Sequence, residues 1–228
     1  MQKGTYEPNL VDLLHRFLRE GDTFVDVGAN IGYISARALG VVGTTGSVHA
    51  FEPVPRFFER LEWLRRDNPR FRLTVNQAAL GATPGTADIA ITNLANIGWN
   101  TIVPDFMSED VVAERIVVPV TTLDAYTSAH GIERIHMIKI DVEGYEFPVI
   151  RGFRGYLETT GHPPVVVVEI APGAYPRLGT SLVEFDAFMS GLGYAAYDMR
   201  LDGRVDVPSL PTTTNVVFLH RSMSAPGV

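Results

Sequence analysis

An apolar segment that ends in a glycine-rich turn constrains the fold of this chain more than any other feature. The segment Thr23–Val27 carries Asp26 near its end, Gly28 follows it, and residues 31–39 have the composition of a helix. Strand, tight turn and helix in this order predict a cradle for a nucleotide-like ligand, because glycine lets the backbone approach a ligand closely. An ordinary buried strand with a glycine turn is the alternative.

The spacing of the glycines narrows the kind of ligand. A dinucleotide-binding turn would place glycines at positions 28, 30 and 33, but this chain has Asn30 and Tyr33 at the last two positions. The observed pattern, Asp-x-Gly-x-Asn-x-Gly, resembles the first motif of class I S-adenosylmethionine (SAM) methyltransferases. That resemblance implies a cofactor site that includes Asp26, Gly28, Asn30, Gly32 and Tyr33.

Composition bounds the class of protein. The chain has 228 residues, of which 46% are hydrophobic, and we expect residues 1–228 to form one domain. The net charge of -7 argues against a nucleic-acid partner, and the absence of cysteine excludes disulfides and thiolate metal sites. No apolar run approaches the length of a membrane span, and no signal-peptide pattern is seen at the N-terminus. We therefore expect a cytoplasmic protein with no membrane partner.

Two elements flank the first strand. Residues 7–20 place five apolar side chains on one face of a helix, with Pro8 in its first turn and Gly21 at its C-cap. Residues 46–52 read as the second strand, and Glu52 lies 24 residues beyond Gly28. An acidic residue at this spacing grips a ribose diol in such folds, so we assign Glu52 and the adjacent Pro53 to the cofactor site. A helix is predicted over 55–67.

The turn after the third strand is a weaker candidate for cofactor contact. Residues 71–76 alternate as a strand and run into Gln77 and Ala78. In a fold of this kind the adenine ring lies at this turn, where the Gln77 amide and the Ala78 N–H would read its edge. A plain turn is the alternative.

A pair of strands replaces the helix expected next. Residues 86–92 and 115–120 alternate as strands, and residues 93–114 between them form a long loop. A loop of this length is usually functional or disordered, and Trp99 is flanked by Gly98 and Asn100. We predict that 93–114 is a lid over the substrate, with packing of Trp99 onto the domain surface as the alternative.

The second informative stretch covers residues 135–146. It is an apolar strand with Lys139 and Asp141 on one face, followed by Glu143. A buried lysine is costly unless it is paired, so we expect Lys139 to pair with Asp141. A helix then extends to about 159, and the central strand 164–170 carries Glu169 near its end. A helix over 180–191 and strands over 193–199 and 214–220 complete the sheet, and 221–228 is predicted to be a frayed tail.

The segments VDVGANIGY, HAFEP, AALG and IKIDVEGYE, in this order and spacing, resemble the FkbM family of SAM-dependent methyltransferases over roughly residues 5–220. The resemblance implies an α/β, three-layer, Rossmann-like fold: a seven-stranded, mostly parallel sheet, here with an inserted strand pair and an N-terminal helix. It also implies O-methylation of a small molecule such as a sugar, macrolide or other secondary metabolite.

Methyl transfer to a hydroxyl requires a group that takes its proton. Asp141, Glu143 and Glu169 are the candidate bases, and Asp141 is alternatively expected to position the acceptor or the SAM amino group, with Lys139 paired to it. A buried ion pair of Lys139 and Asp141 that only holds the sheet edge is the other alternative. We expect no metal, because Mg²⁺ prefers a fuller set of oxygen ligands than one acid at a strand tip, although Mg²⁺ is left open.

Two other classes of function compete with this interpretation. A nicotinamide-dependent oxidoreductase is disfavoured by the missing dinucleotide glycine. A non-catalytic binding protein is disfavoured by the acids at several strand tips. The expected partner is a small-molecule hydroxyl acceptor, and a homodimer is left open.

Overall fold

The computed structural model describes residues 6–92 and 100–223, and its helices and strands alternate along most of the chain. The helices are α1 Pro8–Phe17, α2 Tyr33–Val42, α3 Pro55–Asp67, α4 Leu123–Ala129, α5 Glu146–Arg151, α6 Arg154–Thr159 and α7 Leu182–Gly191, with 3₁₀ helices at Pro172–Leu178 and Val207–Ser209. The strands are β1 Thr23–Val27, β2 Ser47–Phe51, β3 Arg72–Asn76, β4 Ala79–Leu80, β5 Gly85–Thr92, β6 Asn100–Thr101, β7 Val112–Thr121, β8 Met137–Ile140, β9 Val165–Ile170, β10 Tyr194–Tyr197 and β11 Thr214–His220.

Seven strands form the central sheet in the order β10-β11-β9-β8-β1-β2-β3. Strand β11 is antiparallel to both neighbours, and the other neighbouring pairs are parallel. Helices cover both faces, so the predicted three-layer α/β fold with a mostly parallel seven-stranded sheet is confirmed. The order reverses between β1 and β8, and ligands bind at such reversals in open α/β sheets.

Alternating side chains of the central strands separate the core into two halves. Phe24 and Met137 pack under α1 and α2, whereas Val25 and Ile138 pack on the opposite face, with the later helices. Successive residues of these strands are apolar because a central parallel strand is buried on both faces. Asp26 and Lys139 lie on the same face as Phe24 and Met137, and they are direct partners in the β1–β8 register.

The inserted strands form a sheet of their own rather than a simple pair. Its order is β4-β7-β5-β6, and β4 pairs in parallel with β7 immediately after the chain leaves β3. The predicted strands 86–92 and 115–120 correspond to β5 and the longer β7. The prediction missed β4 and β6 because each contains only two residues, which is too few to show a periodic pattern.

Several predicted boundaries differ from the structure. Helix α1 ends at Phe17, since Leu18 has extended backbone angles, so Gly21 is not its C-cap. The single helix predicted up to 159 is two helices, which are separated at Gly152 and Phe153. Glycine is required at position 152, because an added Cβ there would lie 2.0 Å from the carbonyl oxygen of Gly81.

The predicted lid and tail are only partly within the described residues. Of 93–114, the positions 93–99, including Trp99, lie outside them, whereas β6 and the start of β7 fall within the segment. Of the predicted tail 221–228, only 221–223 are described. Among residues 6–92 and 100–223, no helix combines the length and apolar character needed to cross a bilayer.

Candidate active site

The glycine turn after β1 is shaped by contacts with other strands. The N–H groups of Gly28 and Ala29 each donate to the carbonyl of Phe51 at 3.0 Å, which ties the turn to the end of β2. Gly28 has φ +74°, and an added Cβ would lie 1.8 Å from the carbonyl oxygen of Asp141. Glycine is therefore required at position 28 by the backbone that follows β8. Gly32 lets α2 approach α3, because a Cβ there would lie 2.7 Å from Leu61.

Lys139 joins the two central strands beneath this turn. Its ammonium group donates to the Gly28 carbonyl at 2.8 Å and lies 3.1 Å from the Asp141 carboxylate and 3.6 Å from that of Asp26. Burial lowers the pKa of Lys139, but the charges of Asp141 and Asp26 outweigh it and raise the pKa above its usual value. The predicted pair between Lys139 and Asp141 is confirmed, with Asp26 as a second acid. Asp26 also accepts from Ser35 at 2.6 Å.

Glu52 is buried at the end of β2 and braces the glycine turn. One carboxyl oxygen accepts from the N–H of Asn30 and the other from the N–H of Val54, both at 2.9 Å. Burial raises the pKa of Glu52 to about 7, against the lowering effect of these two hydrogen bonds. Each oxygen keeps a second lone pair, so the carboxylate retains the capacity to accept from two ligand hydroxyls.

A cavity of about 420 Å³ opens above the carboxyl ends of β1, β2 and β8. Its volume is within the usual range for small-molecule sites. The residues assigned from the sequence that line it are Gly28, Asn30, Tyr33, Glu52, Pro53, Ala78, Lys139, Asp141 and Glu143. Further lining residues that the sequence analysis did not assign to the site include Tyr6, Ile31, Val142, Tyr145 and Ile102.

Four of the assigned residues lie outside the lining. Asp26 is buried beneath the floor, and Gly32 lies between two helices. Gln77 is exposed, and Glu169 forms a side-chain hydrogen bond with Asp141. Their roles in cofactor binding and catalysis stay predictions.

The N-terminal segment also contributes side chains to the cavity. Glu7 is half-buried and lines the cavity. Burial raises its pKa, with Lys139 acting in the opposite direction. Tyr6 packs edge-on against Tyr33, with ring centroids 5.5 Å apart. The amphipathic pattern of α1 gives no signal for these contacts, because both residues precede the helix.

Three carboxyl groups meet at one side of the cavity. Ligand atoms of Asp141, Glu143 and Glu169 lie within 4.8 Å of one another. Burial, the charges of Asp141 and Glu143 and a hydrogen bond with Asp141 raise the pKa of Glu169 to about 9. Burial and the charge of Asp141 raise the pKa of Glu143 to about 7. Both raised pKa values favour the protonated forms of these acids, more strongly for Glu169 than for Glu143.

This cluster changes one argument about a metal. The expectation of a metal-free site considered one acid, Glu169, at a strand tip. In the structure, the carboxyl groups of Asp141 and Glu143 lie close to Glu169. Lys139 already supplies a cation 3.1 Å from Asp141, and a proton on Glu169 reduces the negative charge further. The expectation of a metal-free site stays a prediction.

The sheet order, the glycine turn and the buried acid at the end of β2 together define the class I methyltransferase fold. A solved structure of methyltransferase FkbM from Methylobacillus flagellatus superposes with a TM-score of 0.54 at 18% identity, over 92% of this chain and 50% of that one. The chain thus spans half the length of that protein. A putative rRNA methylase from Clostridium thermocellum superposes with a TM-score of 0.52 at 11% identity, over 96% of both chains. At these identities the likeness shows the fold alone.

Sequence comparison identifies the family. The model of the methyltransferase FkbM domain matches residues 26–196. The hexuronic acid methyltransferase AglP of Haloferax volcanii is 26% identical over 179 residues, which are 78% of this chain and 67% of the relative. The chain belongs to the FkbM methyltransferase family and is a SAM-dependent methyltransferase.

Proposed function

We propose that this protein transfers a methyl group from SAM to a hydroxyl oxygen of a small molecule, with Glu143 as the general base. The observation that carries the proposal is the position of Glu143: it lines the cavity, and its pKa is raised to about 7. A base with a pKa near the operating pH combines a useful ionised fraction with the basicity to take a proton.

The residues of the cavity fit the cofactor. Glu52 would accept from the ribose hydroxyls through the lone pairs that the backbone leaves free. Ala78, in the turn after β3, would lie beside the adenine, and the carboxylate of Asp141 would attract the ammonium group of the SAM methionine moiety. When bound, SAM supplies an electrophilic methyl group on a sulfonium.

The cluster of Asp141, Glu143 and Glu169 is the candidate for activating the acceptor hydroxyl. Glu143 would take the proton of the acceptor hydroxyl as that oxygen receives the methyl group, and S-adenosylhomocysteine would leave. Glu169 is less suited to this role, because its more strongly raised pKa favours the protonated form, and it lies outside the cavity lining. Asp141 is held by Lys139 at 3.1 Å, which favours a positioning role. We therefore select Glu143 from the three bases that the sequence left open.

A sugar hydroxyl is the acceptor class we favour. The relative AglP is named as a hexuronic acid methyltransferase, which supports a carbohydrate, and macrolides or other secondary metabolites are the wider class. The net charge of -7 disfavours a nucleic acid. The family assignment argues against the alternatives of a nicotinamide-dependent oxidoreductase and a non-catalytic binding protein. Cytoplasmic location and a homodimer stay predictions.

The test combines binding with turnover. Calorimetry should show binding of SAM and S-adenosylhomocysteine but not of NAD. A panel of sugars and hydroxylated metabolites, followed by release of S-adenosylhomocysteine, should then identify an acceptor. With that acceptor, Glu143→Gln should lower kcat by ~10²-fold and abolish the limb of the pH profile near 7. The exposed Glu59→Gln serves as a matched control. Normal turnover in Glu143→Gln would refute the assignment of Glu143 as the base. Binding of NAD in place of SAM would refute the proposed reaction.

A further inference from the structure

The peptide group between Glu143 and Gly144 is held at both ends. Its carbonyl oxygen, on Glu143, accepts from the hydroxyl of Thr101 at 2.6 Å. Its N–H, on Gly144, donates to the side chain of Glu146 at 2.6 Å. The orientation of one peptide plane is therefore set by two side chains from different parts of the chain, one in β6 and one in α5.

The backbone at this point needs such support. Glu143 has φ +50° and Gly144 has φ +101°, so two successive residues adopt positive values. A non-glycine residue in this region costs on the order of 1 kcal/mol, and it persists only where its surroundings enforce it. Gly144 is packed closely as well, because an added Cβ would lie 2.4 Å from the Cβ of Ala174. The turn that carries Glu143 is thus strained and enclosed.

Both supporting side chains are buried and have no other role in the proposed chemistry. Thr101 is almost fully buried, and its hydroxyl oxygen also accepts from the N–H of Val103 at 3.1 Å. Glu146 is fully buried, and burial raises its pKa to about 8. A neutral acid at position 146 serves as an acceptor through one oxygen, and a glutamine could do the same.

We propose that Thr101 and Glu146 are positioning residues that fix the backbone of Glu143 and so keep its carboxyl group inside the cavity. The inference rests on the proposed function only in assigning Glu143 as the general base. The contacts themselves link the inserted sheet to the loop after β8, so the insert has a part in the reacting site. The charged groups that act on the Glu143 carboxyl are Asp141 and Lys139, and the charge of Glu143 in turn raises the pKa of Glu169 in β9 and of Glu146 in α5.

The first test needs neither cofactor nor acceptor. Carbon-13 NMR titration of the glutamate side chains, with Glu143 assigned by loss of its signal in Glu143→Gln, reports whether this carboxyl remains in the cavity. Thr101→Val removes the hydrogen bonds with Glu143 and Val103, and Glu146→Met removes the one from Gly144, each at nearly constant volume. In either variant, the Glu143 carboxyl should become hydrated and its pKa should fall by about one unit or more towards its ordinary value.

Conservative variants separate positioning from folding. Thr101→Ser keeps the hydroxyl and Glu146→Gln keeps the acceptor oxygen, so both should leave the Glu143 pKa within about 0.3 units of the wild-type value. An amide correlation spectrum confirms that each variant is folded. An unchanged Glu143 pKa in folded Thr101→Val or Glu146→Met would overturn the inference. An equal fall in Glu146→Gln would overturn the role of Glu146 as a neutral acceptor.

Once an acceptor is known, a double-mutant cycle supplies the second test. Thr101→Val should lower kcat by ~10-fold in the enzyme with Glu143 and by less than about twofold in the Glu143→Gln background. Equal losses in both backgrounds would mean that Thr101 does not act through Glu143. If Glu143→Gln is fully active but the NMR shift is observed, the base assignment fails while the positioning contacts stand.

Discussion

Glu52 offers a sharp test of the cofactor site, because its two oxygens each have one known partner. The N–H groups of Asn30 and Val54 use one lone pair on each oxygen, which leaves two for ribose hydroxyls. Hydrogen bonds to a charged acceptor contribute ~1.5–3 kcal/mol each at most. Glu52→Ala should therefore weaken S-adenosylhomocysteine binding by tenfold or more.

The raised pKa of Glu52 adds a second signature. Its value of about 7 means that part of the free protein carries a proton on Glu52 at neutral pH. Hydroxyl donors favour the ionised form, so binding should lower this pKa, release a proton, and become tighter as the pH rises from about 6 to 8.

Calorimetry in two buffers with different ionisation enthalpies measures both the affinity and the proton release. Glu59→Gln, which alters an exposed acid on α3, should leave both unchanged. An unaltered dissociation constant in Glu52→Ala would refute the ribose assignment. Binding that releases no proton between pH 6 and 8 would refute the proposed ionisation of Glu52.

Three further predictions concern stability, metal and the inserted segment. Gly28→Ala should destabilise the protein without cofactor by ~2–5 kcal/mol, because its Cβ would strike the Asp141 backbone. Thermal unfolding measures this loss of stability. Gly40→Ala is the control, because its Cβ would meet nothing within 4 Å. Activity should survive EDTA, and loss that Mg²⁺ reverses would contradict the metal-free site. Residues 93–114 should gain hydrogen-exchange protection when cofactor and acceptor bind, and equal protection in both states would count against a lid.

The sequence predicted the parts of the fold that depend on local patterns. Strands such as β1 and β9 are apolar runs whose ends are marked by turn residues or acids, and helix α3 begins at a proline and matches its predicted bounds. The position of Glu52 at a strand end could be predicted, because the strand–helix–strand unit fixes the spacing from Gly28 to the end of the next strand.

Features that depend on contacts between distant segments could not be predicted in this way. The glycine at 28 was attributed to close approach of a cofactor, whereas the structure shows that its Cβ would strike the backbone of Asp141. The position of Glu143 depends on a positive φ angle, which no residue pattern at this site signals. The contribution of Glu146 was missed because its burial depends on packing between α5 and the rest of the core.

The bond from Lys139 to the Gly28 carbonyl spans 111 residues of sequence. The floor of the cavity therefore does not exist in a chain that has been synthesised only as far as α4, even though the glycine turn and Glu52 are already present. Without Lys139, Asp26 would be buried without its cation, and without the segment after β8 the turn would lack the Asp141 backbone against which Gly28 packs. A nascent polypeptide should consequently have no affinity for the cofactor until β8 has emerged from the ribosome, and separate fragments divided between α4 and β8 should regain affinity only when combined.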